Sequence, residues 1–274
     1  MPNLEEGNIL IREVWSDNLD YELKLISDIV DQYPYVAVDT EFPGQVLAPL
    51  GSVPKYNYQK MKLNVDLLKL IQLGLTFSDE KGNLPTCGTD KFCIWQINFR
   101  EFKLDEDPHA EDSIKMLSEN GMDYRRNNEN GVDVRRFSEL LLTSGVVMND
   151  DVRVITFHGL YDLGFLVKLL KGTELPNTEA EFLNLVKIYV PNLYDIKHLI
   201  KYCSGLFGGL NKVASILGVR RLVGLSHQAG SDSLVTCCTF MKLIEVYFRG
   251  KLPDEKYAGV LFSLGDEYRY QNPR

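Results

Sequence analysis

Tyr35-Val36-Ala37-Val38-Asp39-Thr40-Glu41-Phe42-Pro43-Gly44 decides the reading of this chain. Residues 35–41 are mostly apolar and β-branched, and Pro34 and Pro43 bound them, which predicts a buried strand. A strand has a side-chain period of two, so Asp39 and Glu41 project from the same face. Two acids side by side on a buried strand repel each other and lose hydration. A divalent cation is the usual remedy. Taken alone, a D-x-E pair reads more often as a strand end that faces water or pairs with Lys or Arg.

Outward from this strand, Ile9 to Val14 reads as a short strand. Leu19, Leu23, Ile26 and Val30 recur at helical spacing, so Asp17 to Asp31 reads as an amphipathic helix. Pro43 to Lys60, with Pro43, Gly44, Pro49, Gly51 and Pro54, predicts a long loop ending in a helical turn at Asn57 to Met61. Val65 to Ile71 has a helical pattern. Leu73 to Phe77 and Phe92 to Phe99 read as strands of an extended hairpin, with a turn at Asp79 to Asn83. Ser113 to Glu119 and Val134 to Thr143 read as helices, separated by the polar run Arg125 to Gly131. Arg153 to His158 predicts a strand, and Leu163, Leu166, Val167 and Leu170 the helix after it. Helices follow over Glu179 to Ile188, Ile196 to Cys203 and Leu210 to Leu217, then a long one from about Ser231. With no repeat, low-complexity tract or Ser/Gly linker, residues 1–274 read as a single domain. It is of α/β class, with a mixed β-sheet flanked by α-helices.

The bulk properties narrow the function. Hydrophobic residues at 45% and charged residues at 25% describe an ordinary globular chain, which excludes collagen, coiled coil and overall disorder. The formal charge of −8 argues against wrapping nucleic acid by a bulk positive field. A nucleic-acid enzyme whose positive charge arrives as bound metal stays compatible with it. The five cysteines are an odd set without C-x-x-C, as expected of reduced thiols in the cytosol or nucleus. Met1 to Gly7 leads into no apolar core of a signal peptide, and no run of about 18 uncharged apolar residues predicts a membrane span.

Two further segments carry candidate chemistry. Asp162 lies four residues past the strand Arg153 to His158, in the first turn of the next helix, where ligands of α/β sheets gather. It would serve equally to complement that helix's dipole. Leu225-Ser226-His227-Gln228-Ala229-Gly230-Ser231-Asp232 sets His227 on a Gly-containing loop, with Ser231 as the expected N-cap and Asp232 opening the long helix.

V-D-T-E-F, Y-D-L-G-F-L and H-Q-A-G-S-D together resemble the DEDD superfamily of metal-dependent 3′→5′ exonucleases. His227, five residues before the last aspartate, resembles its His-containing subclass. The chain is most similar to the mRNA deadenylases known as carbon-catabolite-repressor-associated factors. Ile11 to Trp15, Asp39 to Gly44, Asn64 to Lys69, Ile71 to Phe77, Asp112 to Ile114, Leu141 to Val147 and His227 to Ser233 carry that resemblance, which spans roughly Ile9 to Leu264. It departs around Asp162. There the family usually reads F-H-S-x-Y-D-F-G-Y-L, and here Phe157-His158-Gly159-Leu160-Tyr161-Asp162-Leu163-Gly164-Phe165-Leu166 stands. The carboxylate is kept and the aromatic positions are softened.

The resemblance implies a ribonuclease H-like fold and a poly(A)-specific 3′-exoribonuclease releasing 5′-AMP. It implies two divalent ions, Mg²⁺ by default for an all-oxygen site and Mn²⁺ as the alternative. By analogy Asp39 bridges them, Glu41 and Asp232 join it on the water-activating ion, and Asp162 holds the second. His227 would take the proton from the attacking water, a task suited to an ordinary imidazole pKa near 6.5. Phe42 and Leu210 are candidate substrate contacts, Phe42 either stacking on an adenine or packing in the core. Implied partners are poly(A) RNA, a Not-type scaffold subunit and a second deadenylase of the endonuclease/exonuclease/phosphatase fold, in the cytoplasm and nucleus.

His158 reads as a packed histidine, and His109 and His198 have no partner pattern. Asp195 would either orient the site or cap the following helix, with the cap favoured. Lys197, Lys201, Lys212, Arg220 and Arg221 would form either a solvated face or a basic rim for an RNA backbone. The rivals are an adaptor without catalysis, which the presence of all four acids disfavours, and an exonuclease for other RNA or DNA.

Overall fold

In the computed structural model, which describes residues 4–47, 56–251 and 257–264, the quoted stretch is β2 (Tyr35–Glu41), inside a six-stranded sheet. Its strands, in chain order, are β1 (Ile9–Val14), β2, β3 (Gln72–Ser78), β4 (Phe92–Asn98), β5 (Arg153–Thr156) and β6 (Asn192–Asp195). The spatial order is β1-β4-β3-β2-β5-β6. β2 runs antiparallel to β3 and parallel to β5, with Asp39 opposite Gly74 and Glu41 opposite Gln72. β3 and β4 form the expected antiparallel pair, while β1 and β6 are parallel to their neighbours, so the sheet is mixed.

Side-chain alternation along β2 sorts the core into two layers. Val36 and Val38 face a layer built on α1 (Leu19–Ile29), α2 (Asn57–Leu67), α5 (Val134–Thr143), α6 (Leu160–Lys171) and α7 (Glu179–Tyr189). Tyr35 and Ala37 face the other layer, with α8 (Ile196–Leu199), α9 (Leu210–Ile216) and α10 (Ala229–Tyr247). The period of two therefore turns Asp39 and Glu41 toward the α9/α10 side and Thr40 toward α6. α10 is buried from Ala229 to Met241 without a polar stripe, as expected of a helix enclosed on all sides. It can lie on the sheet because residue 74 is glycine: a Cβ there would stand 1.9 Å from the Ala229 carbonyl oxygen.

Several elements differ from the sequence expectation, each for a local reason. Residues 57–67 form one helix rather than two pieces. The buried Asn64 ties α2 to the preceding segment through Val46 N–H, Leu47 N–H and the Leu47 carbonyl. The expected loop positions Pro49, Gly51 and Pro54 lie outside the described residues. The polar run after Asp123 is a helix, α4 (Tyr124–Asn130), because Asp123 accepts the Arg126 N–H as its N-cap and Tyr124 and Asn127 are buried. It follows α3 (Glu111–Glu119). β5 ends at Thr156, since His158 takes a left-handed φ of 61° that turns the chain toward α6. Residues 196–203 form only one short helix and a 3₁₀ turn (Ile200–Tyr202). β6 had no counterpart in the sequence reading.

Candidate active site

Asp39 and Glu41 end β2 on the face toward α10 and line a cleft of about 400 Å³ with Thr40, Phe157, Gly209, Leu210, Asn211, Lys212, His227 and Asp232. Asp162 reaches the same strand end from the opposite layer: Thr40 Oγ1 donates to Asp162 Oδ1 at 2.6 Å. The hydroxyl between the two acids thus fixes the third from across the sheet. One ring nitrogen of His227 and one carboxylate oxygen each of Glu41 and Asp232 lie within 4.8 Å of one another.

Burial and mutual repulsion show in the acids' protonation. Burial, then the charges of Asp162, Glu41 and Asp232, hold the Asp39 carboxyl well above the usual carboxylate range. Burial, then Asp232 and Asp162, push Glu41 up to about 8. Burial raises Asp162 to about 7 against the opposing Thr40 hydrogen bond. Uncharged side chains would suit such a site unless positive charge is supplied, and four carboxylates brought to one strand end suit a hard divalent cation.

One positive charge is built in. Arg221 pairs with Asp232 Oδ1, and the same guanidinium donates to Ser231 Oγ, to Asn211 Oδ1 at 3.0 Å and to the Leu225 carbonyl at 3.2 Å. Asp232 Oδ2 accepts the His227 N–H at 2.8 Å. That bond holds His227 at φ 62°, a conformation sparsely populated by non-glycine residues and costly unless the surroundings impose it. Ser231 is not the N-cap. α10 starts at Ala229 behind Gln228, and the Ser231 hydroxyl instead donates to the Val223 carbonyl at 2.6 Å, bracing the loop from beneath.

The start of α10 is set by a polar relay across the sheet. Gln96 Oε1 accepts the Gly230 N–H at 3.0 Å, and Gln96 donates to Glu13, as does Asn98, which in turn accepts from Gln72. Asp195 does a parallel task for Asp162. Fully buried, it caps α8 through the Lys197 N–H and also accepts N–H bonds from His158, Gly159 and Phe262. It thus fixes the turn into α6, so the two alternatives read for it, cap and orienter, coincide.

The remaining sequence candidates separate. Leu210 lines the cleft. Phe42 does not. Its ring stacks on Tyr161 at 5.1 Å and leans on Phe165 at 5.0 Å, which commits it to the core rather than to a base. Of the five cations expected to act together, Lys212 lines the cleft and Arg221 sits on Asp232. Lys197 spends its ammonium on the Gly208 carbonyl, Lys201 lies over the Phe262 ring at 4.8 Å, and Arg220 is exposed. His158 is exposed rather than enclosed, edge-on to Phe262 at 4.9 Å. The sequence reading passed over Thr40, Phe157 and Asn211. Only Thr40, set between the two acids, carried a signal.

Four carboxylates and a histidine gathered at a central strand end of a mixed α/β sheet are the groups that a metal-dependent nuclease site requires. Comparison with known proteins narrows the class. Residues 14–137 match the CAF1 family ribonuclease profile. The chain is 56% identical over 268 residues to the probable CCR4-associated factor 1 homolog 7 of Arabidopsis thaliana, covering 96% of each. It is 42% identical to the poly(A) ribonuclease pop2 of Schizosaccharomyces pombe, over 93% of this chain and 75% of that one. The S. pombe Pop2p structure in its Mg²⁺- and Mn²⁺-bound form superposes with a TM-score of 0.87 at 41% identity, over 94% of this chain and all of that one. Yeast CAF1 co-crystallised with the NOT1 MIF4G domain gives 0.78 at 34%, over 96% and 100%. The chain belongs to the CAF1 ribonuclease family.

Proposed function

We propose that this protein shortens poly(A) RNA from its 3′ end, releasing 5′-AMP, as the nuclease subunit of a multi-subunit assembly. The observation that carries the reading is the convergence of Asp39, Glu41, Asp232 and His227 in one cleft, with Asp162 held to the same strand end through Thr40. The raised carboxyl groups at that point fit divalent cations, with Mg²⁺ or Mn²⁺ suggested by the form in which S. pombe Pop2p was solved. Asp39, Glu41, Asp162 and Asp232 would hold two of them. Such a pair activates a water and stabilises charge on the leaving oxygen.

The chain's own groups supply the rest. The His227 ring stands beside Glu41 and Asp232 and takes the proton from the attacking water. The His227 N–H on Asp232 and the brace of Arg221 and Ser231 keep that ring and that carboxylate in register. Lys212 faces the strand's phosphates from the cleft wall. A NOT1-type scaffold is the partner suggested by the yeast complex. Pairing with a second deadenylase of the endonuclease/exonuclease/phosphatase fold, and residence in cytoplasm and nucleus, belong to the same proposal.

Incubation of 5′-labelled oligoadenylate and of mixed-sequence RNA with Mg²⁺, Mn²⁺ or EDTA tests it. The expected result is a ladder shortening from the 3′ end with free 5′-AMP, faster on oligoadenylate and absent in EDTA. Equal cleavage in EDTA, or internal cuts, would overturn it.

A further inference from the structure

We propose that Phe207 is a stacking platform for a base of the RNA strand just outside the catalytic cleft, with Lys212 holding the adjoining phosphate. This inference rests on the RNA-cleaving reading above. Phe207 is the most exposed large apolar side chain among the described residues, with 64% of its surface in water. An aromatic ring left in solvent forgoes the burial that usually places it inside.

The surrounding chain holds it there. Leu206 beside it is buried at 7% and anchors the loop, and the Tyr247 hydroxyl donates to the Ser204 carbonyl. Lys197 Nζ donates to the Gly208 carbonyl. Gly205 and Gly208 take left-handed φ of 84° and 100°, turning the chain sharply on either side of Phe207. At Gly208 a Cβ would also meet Lys212 Cγ at 2.9 Å. The loop is pinned before and after the ring, so Phe207 is presented rather than trailing.

Its position is the second observation. Gly209, Leu210, Asn211 and Lys212, which follow directly, form one wall of the acidic cleft. The Lys212 ammonium lies 5.8 Å from the Phe207 ring centre while its side chain lines that cleft. The ring therefore shares Lys212 with the wall of the acidic cleft. An exposed ring beside a cation at a cleft mouth is the pairing that single-stranded nucleic acid uses: the base stacks, and the phosphate meets the charge. In a chain of net charge −8 such contacts must be local.

The test is Phe207→Trp, titrated in Mg²⁺ with a phosphorothioate-blocked oligoadenylate, together with Phe207→Ala, Phe207→Leu and Phe207→Tyr in steady-state cleavage. The new indole should be quenched as RNA binds. Phe207→Ala and Phe207→Leu should raise KM for oligoadenylate about 5-fold or more with little change in kcat. The Tyr and Trp variants should restore KM, and inhibition by AMP, which fills only the cleft, should be the same in all. A silent indole with unchanged KM in Phe207→Ala, while the wild type still shortens oligoadenylate, overturns the platform alone and would turn attention to a protein partner for Phe207. A wild type that neither binds nor shortens oligoadenylate overturns the proposed function and the platform together.

Discussion

Glu41→Gln should make the metal-free protein more stable at neutral pH. Glu41 holds its proton up to about 8 in the folded chain, because burial and then the charges of Asp232 and Asp162 oppose ionisation, against an ordinary 4.5. Between 4.5 and 8 the folded state therefore binds more protons than the unfolded state, and stability falls as pH rises through that window. At about 1.4 kcal/mol per pH unit, the interval from 4.5 to pH 7 costs on the order of 3 kcal/mol. An amide at 41 has no charge to suppress, so up to that amount returns. For a domain of this size it amounts to a rise in Tm of about 6 °C. Scanning fluorimetry in EDTA from pH 5 to 8.5 checks it. The wild-type Tm should decline with pH and the variant's should decline less, so that the curves diverge toward alkaline pH. The same variant should gain less Tm from added Mg²⁺ or Mn²⁺, since one carboxylate ligand is gone. Parallel pH curves, or a variant that is less stable at pH 8, would refute the idea that the acids strain the empty cleft.

Asp39→Ala, Asp162→Ala and Asp232→Ala should each abolish cleavage while circular dichroism stays that of a folded protein, and two variants with near wild-type rates would remove the four-acid site. His227→Ala should slow cleavage by about 10²–10⁴-fold with RNA affinity little changed, and an unaltered pH–rate profile would assign the proton transfer to another group. Arg221→Met should act in the opposite sense to Glu41→Gln, lowering the metal-free Tm by the equivalent of about 1–3 kcal/mol because it leaves Asp232 without its counter-charge, as thermal melts in EDTA would show. Gly74→Ala should destabilise the fold and weaken metal binding together, since its methyl group would collide with the Ala229 carbonyl and lift the α10 start that carries Asp232; calorimetric Mn²⁺ titration reads both effects.

What the sequence by itself determined is the chemistry that sits on single elements. The period of a strand puts Asp39 and Glu41 on one face whatever else the chain does, and a strand followed at once by a helix puts Asp162 at a strand end. His227 and Asp232 stand five residues apart, on the loop and in the first turn of the helix it leads into, so their N–H to carboxylate bond is local and within reach of sequence reading. The long amphipathic or wholly apolar helices were legible for the same reason. α4 and β6 were not, because seven and four residues carry too little periodicity and owe their form to Asp123 capping and to pairing with β5. Tertiary structure alone decided that Phe42 packs inward, that Arg221 reaches Asp232, and that Thr40 ties Asp162 to β2 across the sheet. It alone joined Glu13 to the start of α10 through Gln96, and set four N–H groups on Asp195. The Thr40–Asp162, Gln96–Glu13 and His158–Asp195 bonds unite elements on or next to neighbouring strands in the order β1-β4-β3-β2-β5-β6. A local pattern specifies which face a side chain takes; which partner it meets there depends on packing many side chains into one volume, and that is fixed only when the layers close.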